Sequence, residues 1–388
     1  MRSKMVQVTV NGAIDEIAAD QWNSLVDSDN PFLRHEFLLA AEQSGSVSPE
    51  SGWIPRHLTC FDDSNKLRAA LVLYEKNHSW GEFVFDWAWA NAYAQAGYDY
   101  YPKLVSAVPF TPAPGRRLLL RDPGDTEMAS ALLEAAIKLA NETKCSSVHV
   151  LFPGNDDLAF LREAGFRVRK DCQFHWHNRD YHDFDDFLGT FSSAKRKKTR
   201  RDRRRVTEAG ISFRRIKGHD LDASTWKIVY RLISITFMRR GSLPYFNLEF
   251  FTRISQTLPD NILVVLAEKD GAPVAASLFF ESDNVLYGRY WGSDGHYDAL
   301  HFEACYYQGI EYCIDTGKQV FEPGTQGEHK ISRGFVPTPT WSAHWLKQPE
   351  FFSAIGDYLT AERRHVERYM EAVDERSPYR NYERGDDT

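Results

Sequence analysis

Glu322, Glu328, His329 and Lys330 fall within nine positions, around two glycines, Gly324 and Gly327. A carboxylate and an imidazole at such spacing can take a proton from a nucleophile. The ordinary imidazole pKa of about 6.5 suits exchange near neutrality. Glu322 closes a short strand, Gln319–Glu322, and is the first candidate for a base or an amine anchor. His329 is the second, and the pattern leaves the choice between them open. The segment Pro323-Gly-Thr-Gln-Gly-Glu-His-Lys330 has too many glycines and polar groups for a core. Its bland reading is an ordered turn with structural hydrogen bonds only, which glycines such as Gly327 permit without any ligand.

Two further groups closely precede that turn. Arg289, Tyr290 and Trp291 end an apolar, aromatic strand, Val285–Trp291. An arginine among aromatics can hold an anionic substrate group or form a buried structural ion pair, and both readings stand. After a polar loop, Gly292–Asp298, apolar residues at three-and-four spacing predict a helix over Ala299–Asp315, with Gly317 as its left-handed cap. His301 and Glu303 open that helix, as substrate contacts or as a polar first turn.

The segment Lys195–Arg205 carries nine basic residues in eleven, in a chain whose formal net charge is -7. Glycine and proline are absent from Phe191 to Ala209. A helix basic on every face is predicted there. It is read as a phosphate clamp using Lys195, Arg196, Lys198 and Arg201, or as a solvated surface helix. Carboxylates near in sequence cannot neutralise the run, since Asp202 is the only acid within it. His175 and His177 have the spacing of a metal pair on one strand face. Only His182 or Asp183 offers a third ligand, and packed side chains are the simpler reading, so no metal is expected.

The elements that must position these residues follow from length and pattern. A chain of 388 residues, 43% hydrophobic and 14% aromatic, has the size of two ordinary domains with substantial cores. Five cysteines without a CxxC pair fit a reducing compartment. The amino terminus lacks an apolar signal core, and the longest aliphatic run, Ile262–Ala267, is far short of the ~20 residues that span a bilayer. A soluble cytoplasmic chain without a transmembrane segment is the expectation.

The first half reads as a strand near Val6–Val10, helices Ile14–Val26 and Phe32–Ser44, and strands Arg56–Phe61 and Arg68–Glu75 around a turn at Asp62–Asn65. An aromatic tract follows, in which Asp86, Trp87, Trp89 and Tyr93 are read as core and cleft wall. Strand Arg117–Leu120, helix Thr126–Thr143, strand Ser147–Phe152, helix Asp156–Ala164 and a strand from Phe166 complete it. The second half repeats this order with helices Thr225–Arg240 and Asn247–Thr257, the hairpin Asn261–Glu268/Pro273–Glu281, and the strand-helix-strand unit already described. The same order twice suggests tandem copies of one α/β unit. The expected domains are 1–175 and 176–388, the latter with the basic helix 192–209 and a C-terminal helix Phe351–Val373; the last fifteen residues of the tail are expected to fray.

This order resembles the GNAT-type acyltransferase fold. Phe160-Leu-Arg-Glu-Ala-Gly-Phe166 is similar to the GNAT helix that ends at a glycine-phenylalanine step. Gln319-Val-Phe-Glu-Pro-Gly-Thr-Gln-Gly-Glu-His-Lys330 is similar to a glycine-rich segment of FemAB-type proteins, which are tandem GNAT transferases. Asn30-Pro-Phe-Leu-Arg-His-Glu-Phe37, Tyr101-Pro-Lys-Leu104, Pro109-Phe-Thr-Pro112 and Gly327-Glu-His-Lys-Ile-Ser-Arg-Gly-Phe335 resemble the FemAB-like peptidoglycan biosynthesis/recognition family of bacterial proteins. The chain departs from the pattern at Glu322-Pro323, and neither half keeps the GNAT pyrophosphate loop intact.

The resemblance implies a mixed α/β fold of two tandem GNAT-like domains. It implies an N-acyltransferase that moves an acyl group from a thioester donor to a small-molecule amine acceptor, with acyl-CoA as co-substrate and no tightly bound cofactor. The site is expected in a groove between the halves, with Lys330, by its motif position, holding phosphate or the oxyanion. Aminoacyl-tRNA-dependent peptidyl transfer in peptidoglycan synthesis is the alternative, favoured by the basic helix. A noncatalytic protein that binds wall or lipid precursors is a third reading, and contact of the basic helix with anionic lipid is a further one.

Overall fold

The computed structural model describes residues 7–26, 30–325 and 327–380 of the chain. It divides into two compact units. One comprises Met1–Asp171 with Tyr245–Phe250 and Pro339–Val366. The other comprises Cys172–Pro244 with Phe251–Thr338 and Glu367–Thr388.

In the first unit, Val8–Asn11, His57–Phe61, Leu67–Leu71 and Leu118–Leu120 pair antiparallel in that order. Val6, where the first strand was expected to begin, lies outside the described residues. A second set joins Trp53–Pro55, Tyr74–Lys76, Lys103–Ser106 and Ser147–Leu151, with Ser342–Leu346 beyond. The helix Thr126–Glu142 starts where the Asp125 side chain accepts from Met128 N at 3.1 Å, an N-cap. It buries Met128, Leu132, Leu133, Ala136 and Ala140 among Leu58, Leu71 and Val148.

Two expectations fail in this unit. The continuous helix Ile14–Val26 is instead a 3₁₀ turn, Ile14–Glu16, and a short helix, Ala19–Asn23. The buried His35 ring lies within 3.0 Å of Ile14 O and 2.9 Å of Ile17 O. Those carbonyls are thereby drawn away from the helix ladder. Trp87 opens the helix Trp87–Gln95 but is 45% exposed, whereas Asp86, Trp89 and Tyr93 are buried as expected.

The second unit holds a sheet in which Ile211–Lys217, Ile262–Lys269, Ala272–Glu281 and Val285–Ser293 run antiparallel. Val320–Glu322 then joins parallel, and Trp176 and His177 pair beyond it. The hairpin turns at Asp270 and Gly271, both at positive φ (51° and 75°), the geometry of a two-residue turn matched to strand twist. Helices Ala223–Met238 and Leu248–Thr257 lie in sequence between the strands Ile211–Lys217 and Ile262–Lys269.

Three corrections concern this unit. The basic helix, Ser193–Glu208, is not basic on every face, because Thr199, Asp202 and Val206 are buried along one side. The helix expected over Ala299–Asp315 runs as Leu300–Phe302, a π-helical turn Glu303–Tyr307, and an α-helix Gln308–Thr316 capped by Gly317 at φ 73°. Gln308 Nε2 donates to Glu303 Oε1 at 2.9 Å, a five-residue spacing that the wider turn brings onto one side. The Arg203 fork grips Glu303 and Glu311 together. Finally, part of the tail expected to fray is packed: the Tyr379 hydroxyl donates to Gly334 O at 2.7 Å and its ring meets Phe191. Residues 381–388 of that tail lie outside the described residues. No helix among the described residues is long and apolar enough to cross a membrane.

Candidate active site

Pairing of the two parallel strands stops early. Val285, Leu286 and Tyr287 face Val320, Phe321 and Glu322, and Pro323 follows. Proline lacks an N–H and cannot extend the ladder. The longer strand continues past this point, so an opening forms beside Gly288–Trp291. A cavity of about 110 Å³ occupies it, with Ser277, Cys305, Tyr306, His301 and Gly324 among its walls.

Two local insertions shape those walls. Between the neighbouring strands the register passes from Leu278↔Tyr290 to Phe279↔Gly288, which leaves Arg289 as the extra residue of a β-bulge. Arg289, Tyr290 and Trp291 consequently all reach the cavity. The π-helical turn is the second insertion, and it brings Cys305 and Tyr306 to the opposite wall. Cys305 Sγ lies 3.2 Å from Ser277 Oγ, and burial pushes the thiol up to about 12, so it stays protonated.

Charge is unevenly matched here. The Arg289 guanidinium is buried and reaches Glu322 at 3.5 Å. Burial lowers its pKa from the ordinary arginine value while Glu322 acts against that. Lys330 is 1% exposed and donates to Gly324 O at 2.5 Å. Burial first, and Arg289 second, press its amine down to about 7. His301 packs against Trp291, Tyr306 and His329, with ring centroids 5.4, 5.4 and 6.2 Å away. Burial, then the neighbouring His329 and Arg333, bring it to about 4, which makes it neutral at pH 7.

His329 belongs to a second space. A groove of about 560 Å³ is bounded by Lys195, Lys198 and Arg201 of the basic helix and by Phe302, His329 and Arg333. Gly327, at φ 116°, sets the start of the turn Glu328–Arg333, and a Cβ on it would stand 2.2 Å from the His329 ring. Arg333 lies 3.4 Å over the Phe302 ring and donates to His329 O at 2.6 Å. Of the nine cations in the basic helix, four are taken by carboxylates: Arg200 by Asp185, Arg203 by Glu303 and Glu311, Arg204 by Glu208, Arg205 by Asp298. Among the described residues, Lys195, Arg196, Lys197, Lys198 and Arg201 make no ion pair.

The residues singled out from sequence therefore fall into four groups. Arg289, Tyr290, Trp291 and His301 line the small cavity; Lys195, Lys198, Arg201 and His329 line the groove. Glu322 and Lys330 stand behind the cavity, through Arg289 and the Gly324 carbonyl respectively. Glu303, Arg196 and Gly327 line neither, and the Glu303 carboxylate is committed to Arg203 and Gln308. His175, half of the supposed metal pair, is buried against Gln173. Ser277, Cys305 and Tyr306 escaped the sequence reading. The two on the helix sit at apolar spacing, and only the π turn, which spacing does not reveal, turns them into a wall.

A family model described as FemAB-like, peptidoglycan biosynthesis/recognition, matches residues 13–381. No curated protein matches the chain in sequence. A crystal structure of FemX is similar over 88% of this chain and 98% of its own, at 13% identity and a TM-score of 0.54. The C-terminal domain of a putative lysylphosphatidylglycerol synthetase from Agrobacterium fabrum is similar over 88% and 95%, at 9% identity and a TM-score of 0.55. L-PGS from Bacillus licheniformis is similar over 86% and 98%, at 12% identity and a TM-score of 0.50. The fold is thus the mixed α/β, tandem GNAT-like, FemAB-like one that the motifs implied.

Proposed function

The chain belongs to the FemAB-like peptidoglycan biosynthesis/recognition family, and on that premise we propose that it is an N-acyltransferase acting on an amine acceptor. The observation that carries this reading is the opened strand pair, whose cavity is lined by the buried Arg289 guanidinium, with the Glu322 carboxylate and the buried Lys330 amine directly behind its wall. Attack of an amine on an ester or thioester places negative charge on the carbonyl oxygen. Preorganised cationic and donor groups stabilise that charge most strongly where water is excluded. A volume of about 110 Å³ suits a compact acyl group. Glu322 is engaged with Arg289, so His329 is the better placed of the two candidate bases.

The donor carries phosphate. Lys195, Lys198 and Arg201 supply unpaired positive charge along the groove that His329 borders. A specific observation favours aminoacyl-tRNA over acyl-CoA. The loop before the central helix, where a GNAT enzyme would hold pyrophosphate, carries Asp294 and Asp298, and Ala299 there adopts φ 64° ahead of only one ordinary helical turn. That start repels an anion, whereas the basic helix attracts an extended one. The family description supports an acceptor amine of peptidoglycan chemistry.

The test is direct. The purified chain is given radiolabelled alanyl-tRNA or acetyl-CoA with a peptidoglycan-type peptide bearing a free amine, and amide product is followed by mass spectrometry. Amide formation from the tRNA ester at a rate lost on Lys330→Met supports the reading. Product from acetyl-CoA alone replaces the donor but keeps the reaction class. No amide from either donor, with both substrates bound, leaves a noncatalytic precursor-binding protein.

A further inference from the structure

The small cavity and the groove meet at one hydrogen bond. Tyr306 lines the cavity, His329 lines the groove, and the Tyr306 hydroxyl stands 2.8 Å from His329 Nε2. Burial raises the phenol pKa far above its ordinary value, so the hydroxyl keeps its proton and must be the donor. Burial, then Arg333 and Lys330, lower the imidazole pKa, so the ring is neutral at pH 7. Nε2 then accepts and the ring proton sits on Nδ1. Both partners are held in place. Tyr306 is set by the π-helical turn, and its ring stacks on Phe302 and meets Phe335 edge-on. His329 is fixed through its own carbonyl by Arg333.

We propose that Tyr306 and His329 form a two-member proton relay, which takes the acceptor amine's proton in the cavity and hands it to the donor's leaving group in the groove. The relay rests on the acyl-transfer reading above and adds Tyr306 as a catalytic residue. The amine nitrogen bonds to the acyl carbon, and the carbonyl electron pair moves to oxygen. One N–H proton passes to the Tyr306 oxygen as the hydroxyl proton passes to His329 Nε2. The carbonyl re-forms, and the bond from the acyl carbon to the donor oxygen or sulfur breaks with its electron pair. That atom takes the Nδ1 proton of the imidazolium. One amide and one alcohol or thiol result, and groove water restores the starting tautomer. The two cavities thereby divide the chemistry, with nucleophile activated on one side and leaving group protonated on the other.

Tyr306→Phe removes the hydroxyl and keeps the ring packing. The expected result is a fall in kcat on the order of 100-fold with donor KM unchanged. His329→Gln should fall alike, and the double variant no further than either, because the pair acts as a unit. Independently of turnover, nitrogen NMR of the full chain near neutrality should report the Nδ1–H tautomer at His329. A Tyr306→Phe variant at the wild-type rate, or an Nε2–H tautomer, overturns the relay and leaves acyl transfer standing. A wild-type chain that transfers no acyl group from either donor overturns the acyl-transfer reading, and the relay's role with it.

Discussion

Lys103 in the first unit and Lys330 in the second are both buried, and their surroundings treat the charge differently. In the first, Lys103 is fully buried between Glu82 at 2.8 Å and Asp86 at 2.5 Å, and also donates to Ser79 at 2.8 Å. Burial works against its charge, yet the two carboxylates outweigh it and hold the pKa above the ordinary lysine value. Lys76 joins the same network, 3.7 Å over the Trp53 ring and donating to Trp80 O. Burial brings the Lys76 amine down to about 7 against the pull of Glu82, so two lysines face two acids but only Lys103 is held firmly charged. In the second unit, Arg289 reaches Glu322, and Lys330 rests on a carbonyl. A balanced buried network can serve packing alone, but an unbalanced one costs stability that packing does not explain. Such an excess of positive charge makes sense where a reaction supplies the missing negative charge.

That contrast is easiest to break by removing one lysine from each unit. Lys103→Met leaves two carboxylates buried without their cation, and loss of a partner from a buried pair costs about 3–5 kcal/mol. Much of a typical folding stability of about 5–15 kcal/mol would go. Denaturant unfolding should show it as a midpoint shift. Lys330→Met strands no carboxylate. At pH 7 it should be at least as stable as the parent, while amide formation falls on the order of 100-fold or more. Equal destabilisation by the two variants would remove the distinction.

The same lysine predicts a pH dependence. Its folded pKa is about 7, against about 10.4 in an unfolded chain. Between those values the unfolded chain binds the proton and the folded one does not, so stability attributable to Lys330 rises with pH. Below pH 7 both states bind it, and the burial cost is fully felt. The stability advantage of Lys330→Met over the parent should therefore shrink from pH 7 to pH 10, followed by thermal unfolding in matched buffers. An advantage independent of pH would mean that Lys330 is not depressed.

A pair of glycines sharpens the comparison at smaller scale. Gly45, in the first unit, has φ 71° with nothing within 4 Å of a would-be Cβ, whereas Gly327 has φ 116° and the His329 ring 2.2 Å away. Gly45→Ala should cost only the left-handed strain of about 1–2 kcal/mol. Gly327→Ala also displaces the His329 ring, so on the proposed relay its kcat should drop as well. Thermal melts alongside turnover separate the two.

How far all this was legible in the sequence depends on periodicity. The strand Val285–Ser293, the helix Thr126–Glu142 and the Gly317 cap follow from patterns of two and of three-and-four, and the structure keeps them. The cavity walls arise where that periodicity is broken by one residue, at the Arg289 bulge and the Glu303–Tyr307 turn. A single inserted residue leaves the surrounding pattern almost unchanged, so Tyr306 reads as an ordinary apolar-face residue. The basic helix misled for another reason. Its partners Asp185, Glu303, Glu311 and Asp298 come from distant sequence, and so counting acids within the run overstated its free charge.

That helix carries the contrast between matched and unmatched charge within a single element, and the smallest predicted effects lie there. Arg203 bridges Glu303 and Glu311, with Glu303 only 3% exposed. Lys195, Lys198 and Arg201 border the groove and pair with nothing described. Arg203→Gln should destabilise the fold, because a buried carboxylate loses its cation, and should leave the salt dependence of donor binding unchanged. Lys195→Gln, Lys198→Gln and Arg201→Gln should each move stability by no more than about 0.5 kcal/mol, as substitutions at unpaired surface positions do. Each should instead weaken donor binding and reduce the slope of log affinity against log salt by about 1, one phosphate contact apiece. Filter binding of aminoacyl-tRNA across a salt series reads that slope directly. A slope untouched by all three changes would assign the whole helix to structure, and the donor's phosphates would then have to be sought elsewhere on the second unit.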